Sequence, residues 1–230
     1  MKLKSSLVLG YSTYNTPNNF VGSFGPIFPF HRAINYFTDF TLIDAVVLWG
    51  GADISPSLYN ESPIVFSGPN APSHRDSYEW ELLKNTVQRN IPIIGVCRGA
   101  QIMCAFAGGT LIQNVTNHQT YNGGDHTVQT NDGVFQTKGD HHQMMSPNKI
   151  EHTVLAWCDP PQSEKYEPND TYGANLLIHK HIVEPEVIYF PTINGLAIQA
   201  HPEWETTSNS WTEWLNKQII KHLTSLSIDL

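Results

Sequence analysis

Short apolar, β-branched runs alternate with longer amphipathic stretches through the first half of the chain, the pattern of parallel strands joined by crossover helices. The predicted strands are Ser6–Gly10, Asp44–Trp49, which ends in Gly50-Gly51, and Ile91–Val96. Between the second and third, Arg75–Asn90 carries Tyr78, Leu82 and Val87, with Trp80 and Leu83 beside them, at spacings that make one apolar helical face. A further helix is expected directly after Cys97.

Beyond about residue 125 the pattern becomes antiparallel. His126–Thr130, then Asn131-Asp132-Gly133, then Val134–Thr137 reads as a hairpin whose turn requires positive φ. Further strands are predicted at His152–Ala156, Ile182–Phe190 and Leu196–Ala200, while Pro160–Asn175 reads as a surface excursion. The last helix is expected from Ser210, with Ser210 and Glu213 at capping-box spacing. Trp211, Trp214, Leu215, Ile219 and Leu223 then form its stripe against a sheet. We therefore expect one α/β domain over residues 1–230, a mostly parallel sheet flanked by helices with an added antiparallel hairpin region.

Composition narrows the function classes. The 230 residues are 40% hydrophobic and 15% charged, with a net charge of -8 and 13 scattered Lys and Arg residues. Such a chain can bury a sizeable core and carries no basic stripe for nucleic acid. No apolar run approaches the ~18 residues of a membrane helix, and the run after the basic start is too short for a signal peptide. Three cysteines, Cys97, Cys104 and Cys158, cannot all pair with one another, so free thiols in a cytoplasmic compartment are expected. A small-molecule substrate is the default partner.

The chemistry concentrates at Ile93-Ile94-Gly95-Val96-Cys97-Arg98-Gly99-Ala100-Gln101, an apolar strand running into a helix through Gly-x-Cys-x-Gly. A nucleophile on so sharp a turn needs small residues two before and two after it, which Gly95 and Gly99 supply. The helix N-terminus aims its free N–H groups and positive dipole end at the sulfur, favouring thiolate. Core packing is expected for Cys104 and Cys158. A thiolate needs a base, and the base an orienting group. His201-Pro202-Glu203 offers both if the segment is extended, because positions two apart then face the same side and Pro202 opposes a helix.

Cysteine elbow and late His-Pro-Glu together resemble the class I glutamine amidotransferase-like superfamily. The chain is most similar to its stand-alone γ-glutamyl hydrolase branch, typified by γ-glutamyl-γ-aminobutyrate hydrolase. Gly50–Pro56 with Leu58-Tyr59, Arg75-Asp76 with Glu79, Cys97–Gln101, Gly108–Gln113, His141-His142-Gln143 and Gln199–Trp204 carry the likeness in order. The resemblance implies a flavodoxin-like core without a cofactor, and a Cys97, His201, Glu203 triad that cleaves a γ-glutamyl amide through a thioester. It also implies an oxyanion hole from the Gly51 and Arg98 N–H groups, and a glutamyl site from Gln101, His141, His142 and Gln143. One departure stands out: where the family usually has Ser two residues before the first histidine, this chain has Gly139, followed by Asp140.

Several alternatives stay open. The chain could be a stand-alone hydrolase of a small γ-glutamyl substrate, or a glutaminase that supplies ammonia from glutamine to a synthetase partner; it has no Gly-x-x-x-x-Gly-Lys motif of its own. The sequence does not decide between a monomer and a homodimer. The Arg98 side chain either attracts an anionic substrate tail or is a helix-surface charge. His179-Lys180-His181 and the pair His118 and His126 have some ligand character, but no Cys or carboxylate set completes a zinc site, and no metal is expected. The leaving-group pocket is assigned to the variable stretches Tyr11–Phe30 and Pro160–Asn175.

Overall fold

A computed structural model describes residues 2–3, 7–12, 14, 23–35, 38–119, 125–147, 150–167, 183–205, 209–223 and 227–228. Nine strands form its main sheet: β1 (Val8–Ser12), β2 (Phe30–Ile34), β3 (Ala45–Leu48), β4 (Ile93–Val96), β5 (Asp125–Thr130), β6 (Gly133–Lys138), β7 (Thr153–Cys158), β8 (Glu184–Phe190) and β9 (Gly195–Ile198). Their spatial order is β2-β1-β3-β4-β9-β8-β7-β5-β6. Every pairing from β2 across to β9 is parallel, and every pairing beyond β9 is antiparallel. The fold is thus the expected mostly parallel α/β core, with the β5–β6 hairpin as the outer edge of an antiparallel extension. Thr110–Ile112 pairs with Met144–Ser146 in a small separate sheet.

The sheet is covered by α1 (His74–Gln88), α2 (Arg98–Phe106) and α3 (Ser210–His222). Strand alternation sends Val47, Ile94, Val96, Leu196 and Ile198 to one face, where they meet Trp211, Trp214, Leu215, Ile219 and Leu223 of α3. Val46, Leu48, Ile93 and Ala197 point to the other face and pack with Tyr78, Leu82 and Leu83 of α1 and Ala100 and Met103 of α2. Central strands buried on both faces read as continuous apolar runs, which is why β3 and β4 were legible. Each fully buried large side chain contributes about 1.5–3 kcal/mol. Trp211 and Leu48 are wholly inaccessible, so the layers that position the site are strongly held.

Several expectations shift. The α3 cap is Asn209, whose side chain accepts from the Thr212 N–H, so Ser210 and Glu213 do not form the capping box. A capping box does occur on α1, between Ser73 and Asp76. Strand β2 was not anticipated, because Phe30-His31-Arg32-Ala33-Ile34 is an edge strand whose residues are mostly outside the core. Within Tyr11–Phe30, Tyr11 and Ser12 belong to β1, and Phe24, Ile27 and Phe28 are core residues. Pro160–Asn175 contains a two-residue strand, Tyr166–Glu167, on Asn114–Val115. His179, Lys180 and His181 lie outside the described residues.

Candidate active site

Strands β3, β4 and β9 lie side by side and parallel, so their C-terminal ends open at one edge of the sheet. In open α/β sheets that edge is where ligands are bound. Strand β3 delivers Gly50 and Gly51 there, β4 delivers Cys97, and β9 delivers His201. A cleft of about 430 Å³ at this edge is lined by Gly50, Gly51, Cys97, Asp140, His201, Glu203 and Trp204.

Cys97 caps α2 with φ 51° and ψ -110°, a conformation that side chains rarely adopt. Its N–H donates to Ile198 O at 2.7 Å and its carbonyl accepts the first helical bond, from Gln101 N at 3.1 Å. The strain is held by close packing. A Cβ on Gly95 would lie 2.5 Å from Gly99 O, and one on Gly99 would lie 2.1 Å from Leu48 O. Only glycines admit this approach of helix, elbow and neighbouring strand. The first N–H groups of α2, from Arg98 onward, have no intrahelical acceptor and start at the sulfur-bearing residue.

His201 Nδ1 and Glu203 Oε1 are 2.8 Å apart and both residues are buried. Sequence reasoning placed them on extended backbone, whereas the structure begins a 3-10 turn, Pro202–Trp204, immediately after His201. Pro202 opens that turn, as proline at a first helical position can, and the turn still returns Glu203 to the ring. It also stacks Trp204 flat on the imidazole, with centroids 3.8 Å apart and planes 4° from parallel. Trp204 is thus a site residue that its sequence neighbours did not reveal. Burial works against protonation of His201, but the Cys97 charge and hydrogen bond, together with Glu203, raise its pKa to about 10.

Arg98 is neither a surface charge nor a substrate hook. Its guanidinium is buried and pairs with both Asp76 and Glu79 of α1. Glu79 also accepts from Arg75 Nε at 3.0 Å and from the Ser12 hydroxyl at 3.1 Å. Arg75 then donates to Gly50 O at 2.9 Å and Trp49 O at 2.7 Å. This chain of contacts fixes the backbone that enters Gly51, whose φ is 136°. Arg75, Asp76 and Glu79 were visible as family-like positions, but their job of holding the β3 end was not.

The expected glutamyl-binding residues are held to one another behind the cleft wall. None of Gln101, His141, His142 and Gln143 is among the residues lining the cleft. Gln101 is buried and donates to Gln143 O at 3.1 Å, which ties α2 to the loop. Gln143 is fully buried, and His141 Nδ1 lies 3.0 Å from its carbonyl oxygen. The His141 ring turns inward, 4.6 Å from the His118 ring, and burial drives its pKa down to about 4. His142 meets Asp53 at 3.0 Å, and that hydrogen bond raises its pKa. Asp140 is the loop residue that reaches the cleft. Gly139 has a local reason as well: a Cβ there would lie 2.4 Å from the His126 ring.

Near His118 and His126, where no cysteine or carboxylate was expected to complete a ligand set, the structure gathers two further side chains. Cys158 and Glu186 join them, with one candidate ligand atom from each residue within 4.8 Å of all the others, and all are buried. Sequence separation concealed the cluster, because its members sit on different strands and loops.

Residues 21–156, more than half of the chain, match the Peptidase C26 family. The chain belongs to that family. Among its relatives is YvdE of Lactococcus lactis subsp. lactis, described as glutamine amidotransferase-like, 41% identical over 90 residues that cover 39% of this chain and 38% of that protein. The γ-glutamyl-γ-aminobutyrate hydrolase of Escherichia coli O157:H7 is 24% identical over 176 residues, covering 72% of this chain and 66% of that one. The match spans less than half the length of each YvdE relative. A glutamine amidotransferase structure from Thermotoga maritima has the same fold, with a TM-score of 0.54 at 15% identity, covering 97% of this chain and 91% of that one. No helix among the described residues is long and apolar enough to cross a membrane.

Proposed function

We propose that this chain hydrolyses the γ-glutamyl amide bond of a small γ-glutamyl compound, with Cys97 as nucleophile, His201 as proton carrier and Glu203 as the group that orients it. The observation that carries the reading is the delivery of an elbow cysteine and a buried His–Glu pair into one cleft by adjacent parallel strands. Membership of Peptidase C26 and the γ-glutamyl hydrolase among the relatives support the substrate class.

In this mechanism the Cys97 thiolate attacks the δ-carbonyl carbon, and the carbonyl electrons move onto oxygen. The Gly51 and Arg98 N–H groups receive that oxyanion; removal of one such donor from comparable sites costs about 10²–10³ in turnover. Collapse of the intermediate breaks the C–N bond as His201 gives its proton to the leaving nitrogen, leaving a γ-glutamyl thioester on Cys97. His201, now neutral, takes a proton from water, whose oxygen attacks the thioester. The C–S bond breaks, glutamate leaves and the thiolate and imidazolium are restored. Asp140, on the cleft wall, offers a carboxylate to the α-ammonium end of the substrate, in place of the hydroxyl that the family resemblance would put at position 139.

Steady-state comparison of γ-glutamyl amides bearing substituted nitrogens with free glutamine tests the proposal. The isolated chain is expected to turn over a substituted amide faster than glutamine. Negligible activity on every substituted amide, with glutamine hydrolysis appearing only on addition of a synthetase, would move the chain to the ammonia-supplying reading.

A further inference from the structure

We propose that His118, His126, Cys158 and Glu186 form a structural zinc site, distinct from the catalytic cleft. Zinc favours nitrogen, sulfur and carboxylate ligands in tetrahedral arrangement, and structural sites are closed to solvent. All four residues are buried, with His118, Cys158 and Glu186 fully inaccessible.

The spacing is close to that of a coordination tetrahedron around one member of the set, Glu186. Bonds of ~2.0 Å to nitrogen or oxygen and ~2.3 Å to sulfur set ligand atoms about 3.3–3.5 Å apart. From Glu186 Oε1, His126 Nε2 is 3.3 Å away, Cys158 Sγ 3.5 Å and His118 Nδ1 3.7 Å. The other separations are at most 4.8 Å.

The local chemistry also calls for a cation. Neither ring nitrogen of His118 makes a hydrogen bond, although both face carboxylates, Glu184 at 3.3 Å and Glu186 at 3.7 Å. Glu186 Oε2, fully buried, makes none either. Zinc binding releases the Cys158 proton to solvent and leaves thiolate, carboxylate and dication neutral in sum. Binding is consequently weaker in acid.

The site would clamp the antiparallel half of the sheet. His126 stands on β5, Cys158 at the end of β7 and Glu186 on β8, three neighbouring strands, while His118 belongs to the loop after Asn114–Val115. That loop and the strand before it bind the segment bearing Asp140, through His141 N to His118 O at 3.2 Å and Val115 N to His142 O at 2.7 Å.

The test uses the full chain carrying Cys97→Ser, which removes the cleft thiol. Metal analysis after incubation with Zn²⁺ and desalting is expected to show a single equivalent. Co²⁺ in its place should give tetrahedral ligand-field bands and a thiolate-to-cobalt charge-transfer band, which Cys158→Ser abolishes and Cys104→Ser retains. X-ray absorption at the zinc edge, which needs no change within the cluster, should show one sulfur among nitrogen and oxygen neighbours. No retained metal, a charge-transfer band that survives Cys158→Ser, or a zinc shell without sulfur would overturn the proposal and leave the cluster as an ion-paired network.

Discussion

Replacing Gly99 by alanine sets two effects against each other. Within a helix alanine is favoured over glycine by up to about 1 kcal/mol, the interior value, so propensity alone would have the variant, in the first turn of α2, more stable. Packing says the reverse, because the new Cβ would lie 2.1 Å from Leu48 O and 2.6 Å from Leu48 C, backbone atoms of β3 that cannot rotate away. Restoring ordinary contact requires α2 to retreat by about 1 Å, and overpacking of this kind costs about 1–3 kcal/mol. Against immovable backbone the upper end applies; less the propensity gain, a net loss of about 2 kcal/mol remains, and at about 2–4 °C per kcal/mol for a chain of this size the melting temperature should fall about 4–8 °C. The retreat also carries Cys97 away from His201, and misplacement by about 1 Å costs on the order of 10² in rate. Thermal unfolding followed by circular dichroism, with hydrolysis measured well below both transitions, reads the two effects. Gly133→Ala is the control: φ there is 145° but no atom lies within 4 Å of the added Cβ, so stability should drop with the rate unchanged. A Gly99→Ala protein as stable and as active as the parent would refute the view that close packing creates the elbow.

Three further outcomes are expected. Arg98→Met strands Asp76 and Glu79 without their buried partner, and breaking such a pair costs about 3–5 kcal/mol; since Arg75 still holds Glu79, the lower half of that range should appear in urea unfolding. His201 has a folded pKa raised from 6.5 to about 10, so its stabilisation is full below pH 6.5 and is lost as pH rises through about 10. The stability gap between the parent and His201→Ala should therefore narrow over that window, and a gap that widens would reverse the assigned cause. Asp140→Asn should raise KM on the order of tenfold for substrates with a free α-ammonium, as expected for loss of a charged hydrogen bond, and leave N-acylated analogues unaffected; equal effects on both would remove Asp140 from the α-end.

What the sequence made legible was what local pattern controls. Strands β3 and β4 are buried on both faces and announce themselves as apolar runs, and the α3 stripe repeats at helical spacing. The Gly-x-Cys-x-Gly elbow could be read because every requirement of the turn lies within a few residues of Cys97. Long-range geometry could not. Arg98 looked exposed at a helix start, yet α1 lays Asp76 and Glu79 against it. The family likeness marks His141 as a substrate contact, and nothing near it in sequence shows that β8 places Glu186 behind its ring. Cys158 had no neighbour in sequence to suggest a ligand set, since β5, β7 and β8 supply its companions. Pro202 shows a subtler limit: its missing N–H suits a 3-10 start as well as an extended strand, and either conformation brings Glu203 to His201.

Covalent trapping tests the central claim most directly. The purified chain is incubated with a diazoketone analogue of glutamine, its intact mass is measured and the modified peptide is mapped. Cys97 as nucleophile predicts a single adduct on the peptide containing Cys97, blocked by prior γ-glutamyl substrate and absent from Cys97→Ser. Cys104 is buried, its thiol pushed up to about 12 by desolvation, and the Cys158 thiol is likewise raised, so neither should react. Modification of either with Cys97 intact, or undiminished hydrolysis by Cys97→Ser, would contradict the account.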